Sequence, residues 1–428
     1  MPHKSSRKSL NIGFISFRFA GTDGVSLETS KWAEVLEDKG HTCYYFSGLS
    51  DRPDERSMVV PEAHFLHPEI REHYYRFFGT HTRKAEDTLW VHKMREYFRG
   101  HLDQFVRKFD IDLLIPENAL SFPQNIPLSM ALTELIAETN IPTIAHHHDF
   151  TWERKDLWVN AVHDYISMAV PPILPSIQHV VINTHASHQM ARRTGVSSTI
   201  VPNVMNFEKP TSKMDEYSAD LREAIGLEPD EFFILQPTRV VQRKGIEHAI
   251  ELVSRLGLKA RLVISHASGD DGYGYEKRVH EYAELLGVHA IFSSQKFDEK
   301  RRLTENGQKV YSLWDAYPHA DLVTYPSEIE GFGNAFLEAL YFKKPIVVNN
   351  YAIYETDIKP KGFKVIDFNE YITDETVEAA RNILQEPKLA KEMCDYNYKL
   401  ALKHYSYKVL RNKLRVLLNN AFGINHMP

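Results

Sequence analysis

Residues 321–348 read DLVTYPSEIEGFGNAFLEALYFKKPIVV. The run LVTY is short and apolar, the pattern of a buried strand. Pro326 and Ser327 stop it, and Gly331 and Gly333 mark a turn. The segment that follows carries apolar residues at helical spacing, and PIVV opens another apolar run. A strand, a crossover helix and a second strand make a βαβ unit, and such units build parallel sheets covered on both faces.

The same alternation extends in both directions. Upstream, NIGFISF precedes SLETSKWAEVLEDKG, whose Leu27, Trp32, Val35 and Leu36 lie near helical spacing. HTCYYFSG, DLLIPEN, TIAHHH and HVVIN read as further buried strands. The rhythm pauses over VPNVMNFEKPTSKMDEYS and restarts with FFILQPTRV, RLVISHA, AIFSSQ and, further on, FKVIDF. GIEHAIELVSRLG and GYEKRVHEYAELLG read as amphipathic helices, each closed by a glycine. The expectation is an α/β chain of two domains, residues 1–205 and 206–404. The amphipathic tail YKVLRNKLRVLLNNAF, within about 405–428, packs on the second domain or returns to the first. Residues 60–108 break the alternation and are rich in aromatics, His and Arg. They read either as helices on the sheet edge or as a lid or acceptor wall.

Bulk properties narrow the class. A chain of 428 residues exceeds one ordinary domain. A net charge of -6 and a pI of about 6.4 argue against a general nucleic-acid binder. Cys43 and Cys394 are the two cysteines, so no disulfide framework is expected and a reducing cytoplasm fits. The opening MPHKSSRKSLNIGFISFRF has a basic lead, but Arg18 interrupts its apolar run; it reads as a disordered tail and a first strand rather than a signal peptide. No apolar run reaches the roughly 18 residues of a membrane span. Peripheral membrane contact stays open, and the oligomeric state is not set by the sequence.

The glycine turn carries chemistry. Ligands of open parallel sheets bind beyond the carboxyl ends of strands, and helix N-termini favour anions. Glu330 and Glu338 flank the turn, placed to accept hydrogen bonds from hydroxyl groups while phosphate sits at the helix start. The bland alternative is a capped helix with solvated carboxylates. QPTRVVQRKGIEHA adds Arg239 and Lys244 between a strand and a helix, cations suited to a diphosphate. Its bland alternative is a solvated basic loop; both motifs together, in one half, favour a site.

These motifs resemble the retaining glycosyltransferases of family 4, also called glycosyl transferases group 1. Arg239 with Lys244-Gly245 is similar to that family's phosphate-binding element, and EGFGNAFLE to its paired-glutamate signature. GTDGVSLETSKWAEVLEDKGH, IAHHHD and VPNVMNF resemble its first loop, its His-Asp strand end and its interdomain element. The likeness is strong over 235–350 and loose over 50–140. The first loop here lacks the family's adjacent glycines, and Thr238 stands where the family usually has Gly.

The resemblance implies the GT-B fold, two Rossmann-like domains facing an interdomain cleft. It implies that the second domain binds a nucleoside diphosphate sugar and the first a hydroxyl acceptor. Glu338 would hold the ribose. Glu330 and the backbone of Gly331, Phe332, Gly333 and Asn334 would hold the donor sugar and distal phosphate. Arg239 and Lys244 would neutralise the diphosphate, Gly24 would approach it, and His148 would contact the donor sugar. No cofactor is implied, and Mg²⁺ is compatible but not needed. Asp110 and Asp112 in FDIDLL read as a strand start rather than a metal motif.

In HHHDFTWER, residues 146–154, alternate side chains of a strand face opposite sides. The spacing matches no usual zinc set, which leaves core histidines or a site role. Asp149 and Arg154 are the candidate acceptor contacts, Arg154 for a carboxylate or phosphate. The main expectation is hexosyl transfer, glucose or mannose type, to a small anionic acceptor such as a glycerate glycoside. The alternatives are a disaccharide synthase or phosphorylase of the same fold and a lipid- or polysaccharide-directed transferase. A Rossmann dehydrogenase is disfavoured because FAGTDGVSLE lacks G-x-G-x-x-G.

Overall fold

The computed structural model describes residues 9–21, 23–211, 213–266, 274–293, 295–298 and 300–423. The tail read over residues 1–8 lies outside them. The chain divides into two compact units, one of Met1–Val204 with Tyr407–Pro428, the other of Met205–Ser406.

The first unit runs β1 (Asn11–Ile15), α1 (Gly24–Glu37), β2 (Thr42–Ser47), β3 (Ser57–Val59), α2 (Pro68–Phe77) and α3 (Ala85–Lys108). It continues with β4 (Leu113–Pro116), α4 (Ile126–Thr139), β5 (Thr143–His147), α5 (His163–Ala169), β6 (Ile177–Val181), α6 (Thr184–Thr194) and β7 (Thr199–Ile200). The sheet is parallel, in the order β3-β2-β1-β4-β5-β6-β7. Strand alternation feeds two layers. Ile12 and Phe14 join Trp32, Val35 and Leu36 of α1, while Ile15 joins Phe98 and Phe105 on the other face. Glycine at position 13 is a packing requirement, because a Cβ there would lie 2.7 Å from the Phe105 ring.

Residues 60–108 fold largely into α2 and α3. Met94, Phe98, Leu102 and Phe105 form a buried row along α3, at helical spacing. They share one core with Leu128, Leu132 and Leu135 of α4, so this part of the segment is packing helix. Asp110, with φ at 48°, and Asp112 make the turn between α3 and β4, and Asp112 accepts the backbone N–H of Asn11 at 2.9 Å.

The second unit begins with α7 (Leu221–Ala224), β8 (Phe232–Gln236), α8 (Ile246–Arg255), β9 (Ala260–Ile264), α9 (Gly274–Leu285) and β10 (Ala290–Phe292). A small sheet of β11 (Phe297–Asp298), β12 (Arg302–Leu303) and β13 (Lys309–Ser312) follows. Then come α10 (Leu313–His319), β14 (Leu322–Tyr325), α11 (Asn334–Tyr341), β15 (Ile346–Asn349), β16 (Ile366–Phe368), α12 (Asp374–Gln385) and α13 (Pro387–Tyr405). The main sheet is parallel, in the order β10-β9-β8-β14-β15-β16. The opening quotation is thus β14, α11 and β15.

The last helix, α14 (Tyr407–Phe422), belongs to the first unit. Its Leu410, Leu414, Leu417 and Leu418 are fully buried in the cluster that holds Trp32. Tyr407 donates to Glu34 of α1 at 2.9 Å. Among the described residues no helix is long and apolar enough to cross a membrane.

Each parallel sheet reverses its winding once, between β1 and β4 and between β8 and β14. Loops diverge at such switch points and leave a crevice at the carboxyl ends of the strands.

Candidate active site

In the second unit the switch point collects the loops after β8 and β14. Lys244 ends a short 3-10 turn after β8, and Gly245 follows with φ at 56°. A Cβ at Gly245 would lie 2.6 Å from the carbonyl oxygen of Pro326, so the two loops touch there. The backbone N–H of Glu328 donates to the Arg243 carbonyl at 2.9 Å, and Arg243 Nη1 donates to the Ile329 carbonyl at 3.1 Å. This contact delivers Glu330 to the cations. Lys244 Nζ is ion-paired with Glu330 Oε1, and Arg243 Nη1 lies 3.4 Å from Glu330 Oε2.

Burial pushes the Glu330 carboxyl up, and Lys244 with Arg243 more than reverses it, so Glu330 stays ionised below the usual range. Burial depresses the Lys244 ammonium, and the adjacent Glu330 offsets part of that. Arg239 is exposed, and its charge acts on Lys244 and on His266. Burial first, then those two cations, lower His266 to about 4. At neutral pH the site therefore presents a neutral imidazole beside fixed positive charge.

Gly333 caps α11 with φ at 127°. A Cβ there would lie 2.5 Å from the Tyr351 hydroxyl, which itself donates to the Phe332 carbonyl at 2.7 Å. Phe332 buries its side chain edge-on to Tyr405 and leaves its backbone in the turn. Gly331 is exposed, and Asn334 opens the helix. Glu338, one turn in, accepts the Tyr317 hydroxyl at 2.7 Å. A cavity of about 400 Å³, bordered by Phe232, Asp321, Lys344 and Cys394, lies at the opposite, amino end of these strands.

The first unit gathers a second constellation after β4 and β5. Asn118 sits in the left-handed region, φ at 60°. Its Oδ1 accepts the backbone N–H groups of His148 at 2.8 Å and Asp149 at 3.0 Å. Asp149 Oδ1 accepts from Arg154 Nη2 at 2.7 Å. His146 and His148 face Glu117, each with one nitrogen 2.9 Å from its Oε2. His147 faces the other side and meets His179 at 2.9 Å. Burial raises the Glu117 carboxyl, but the two imidazoles reverse that and hold it low. Burial lowers His148, and the hydrogen bond with Glu117 more than offsets it. Gly24 is the first residue of α1, whose next two backbone N–H groups, of Val25 and Ser26, donate to the Asp23 carboxylate at 3.2 Å.

The structure thus brings Lys244, Glu330 and the glycine turn together, with Arg239 near them. It joins His148, Asp149 and Arg154 through Asn118. Sequence reading did not single out Arg243, His266, Tyr317, Asn118 or Glu117. Arg243 is the one with a visible signal, since it adjoins Lys244 in QRKG. Among the described residues, one group of His, Cys, Asp and Glu side chains is tight enough to hold a metal ion: Glu117, His146 and His148.

The family model described as glycosyl transferases group 1 matches residues 218–400. Over 438 aligned residues the chain is 32% identical to a mannosylglucosylglycerate synthase of Thermotoga maritima, covering 95% of this chain and 99% of that protein. A mannosylglucosylglycerate synthase of Petrotoga mobilis is 30% identical over 389 residues, 83% of this chain and 86% of that one. Among solved structures, a glycosyltransferase from Rickettsia africae matches with a TM-score of 0.67 at 13% identity, over 96% of this chain and 98% of that chain.

Proposed function

The chain belongs to the group 1 glycosyltransferases, with the two α/β units of the GT-B fold, and on that premise we propose that it transfers a mannosyl group from a nucleoside diphosphate mannose to glucosylglycerate. The choice of sugar and acceptor is supported by the names of the Thermotoga and Petrotoga relatives. The observation that carries the donor reading is the contact of Lys244 and Arg243 with Glu330, at the carboxyl ends of β8 and β14 and beside the N-terminus of α11.

Breaking the bond between the sugar and the diphosphate builds negative charge on the leaving oxygen. Lys244, Arg239 and the positive end of α11 neutralise it without a divalent ion. Glu330 and the backbone of Gly331, Phe332, Gly333 and Asn334 hold the donor sugar and distal phosphate, and Glu338 holds the ribose. His148 and Gly24 keep the donor-side roles that the family resemblance gives them. Asp149 and Arg154 take the acceptor, Arg154 exchanging its partner Asp149 for the glycerate carboxylate. Transfer proceeds on one face of the sugar. The bond from the anomeric carbon to phosphate breaks, the acceptor oxygen bonds to that carbon, and the acceptor proton passes to the departing phosphate. The anomeric configuration is retained and no side chain is a covalent nucleophile. The proposal places the enzyme in a reducing cytoplasm, supported by Cys43 and Cys394, both free and buried.

A panel of nucleoside diphosphate sugars, assayed with and without glucosylglycerate, tests this. The expected result is acceptor-dependent turnover of the mannose donor, unchanged by added Mg²⁺, with an NMR spectrum of the product showing retention. Lys244→Ala should lower kcat by about 10²- to 10³-fold, the size of a lost charge-stabilising contact. Sugar release driven by inorganic phosphate, or turnover confined to lipid acceptors, would overturn the reading.

A further inference from the structure

We propose that Glu117, His146 and His148 bind one divalent transition-metal ion of the zinc type within the first unit, His148 through the ring nitrogen that faces Glu117. The placement follows from strand register. Glu117 is the residue after β4 and pairs with His146 of the parallel neighbour β5. His148 lies two residues on, so the pleat returns it to the same face. One ligand atom from each side chain falls within 4.8 Å of the other two. Side-chain exposure is 0% for Glu117, 0% for His146 and 7% for His148.

Hydrogen bonding leaves this cluster unfinished. His148 Nε2 bonds Glu117 Oε2 at 2.9 Å. Glu117 Oε1 and His146 Nε2 have no hydrogen-bond partner, and His146 Nδ1 lies 2.9 Å from Glu117 Oε2 as an ion-pair contact. Orphaned atoms of this kind are rare in protein interiors and point to an ion or a water. A buried carboxylate is costly unless a positive charge compensates it. One cation would balance the Glu117 charge and take His146 and His148 as ligands, each through the ring nitrogen nearest the carboxylate. Trp32 stacks on the His146 ring at 4.2 Å and fixes its plane.

The donor set selects the metal. Two imidazoles and a carboxylate suit Zn²⁺ and its neighbours, whereas Ca²⁺ and Mg²⁺ prefer oxygen. Around Zn²⁺ at about 2.0–2.1 Å, tetrahedral ligands stand about 3.3 Å apart, within side-chain rotation of the observed spacings. The histidine spacing alone concealed this site, because the third ligand comes from the strand end 29 residues before His146, between positions 117 and 146.

The test uses the full chain, stripped by chelation and loaded with Zn²⁺ or Co²⁺. Elemental analysis after gel filtration should find about one ion per chain, and Co²⁺ should give the intense visible bands of low coordination number. Glu117→Gln and His146→Gln should each weaken Zn²⁺ binding by at least the ~10- to 100-fold seen when mere outer-shell partners are lost. A double change of the exposed His185 and His188 on α6 should leave binding intact. Added Zn²⁺ should raise the Tm of the stripped wild type, as any ligand of the folded state does. Absence of a stoichiometric ion, or an ion that survives both Glu117→Gln and His146→Gln, overturns the proposal. If those variants do not fold, a wild-type Tm indifferent to Zn²⁺ overturns it alone. Neither result depends on which sugar is transferred.

Discussion

At the scale of the residue, the glycine turn shows how little freedom a site of this kind leaves. Gly333 combines a φ of 127° with a space closed by the Tyr351 hydroxyl, 2.5 Å from where a Cβ would stand. Gly333→Ala therefore strains the backbone and displaces the hydroxyl that bonds the Phe332 carbonyl. The expected loss is about 1–3 kcal/mol in denaturant unfolding, with weaker nucleotide binding. Wild-type stability in that variant would remove the turn from the list of strained positions. Arg154 is a sharper functional probe. Its guanidinium is already oriented by Asp149, and its side chain is 42% exposed, accessible to an incoming carboxylate. Arg154→Ala should raise the acceptor KM more than the donor KM; the reverse split would take it out of the acceptor site. Both glycines and both carboxylates of EGFGNAFLE were legible because their chemistry is local in sequence. Tyr317 and His266 were not, since the first reaches Glu338 from within helix α10, the second lies just after β9, and neither carries a local motif.

At the scale of the element, apolar runs marked the main strands, and their parallel order followed from the helices between them. The sheet of β11, β12 and β13 escaped because two of its strands are two residues long and β12 is exposed and partly charged. Helix α3 was readable only as a helix; that it is packing material depends on α4, a partner with no sequence mark. Phe98 lies fully buried between them and the sheet. Phe98→Ala should destabilise the first unit by about 3–5 kcal/mol, measured by denaturant unfolding. The joint of β5 and β6 has a pH signature. His179 is 3% exposed and meets His147 at 2.9 Å, and burial lowers it to about 4. The unfolded chain holds that proton near 6.5. Between these values the unfolded state binds more protons, so stability rises with pH there. The contribution is present in full above about 6.5 and is lost as pH falls toward 4, at most ~3 kcal/mol. Denaturant midpoints across that range should show the slope in wild type and a shallower one in His179→Gln; equal slopes would assign it elsewhere.

At the scale of the whole molecule, the chain passes from the first unit to the second and then sends its last helix back. A tail that reads YKVLRNKLRVLLNNAF announces an amphipathic helix, and nothing in its own residues says which core receives it. The answer lies in the complement: Trp32, Val35 and Leu36 of α1 leave a surface that Leu410, Leu414, Leu417 and Leu418 complete. Covalently, α14 follows α13 of the second unit; energetically, it is core of the first. Leu414→Ala separates the two facts. A buried leucine lost from a packed core costs about 2–5 kcal/mol, and the cost falls on the unit that holds the core. Hydrogen exchange in this variant should rise in peptides covering β1, β2 and α1, hundreds of residues away in sequence. Peptides covering β8 and β14 should keep wild-type protection, and so should nucleotide affinity at Lys244 and Glu330. Equal loss of protection in both units would mean that they unfold as one body, and α14 would then stabilise the molecule as a whole rather than the first core.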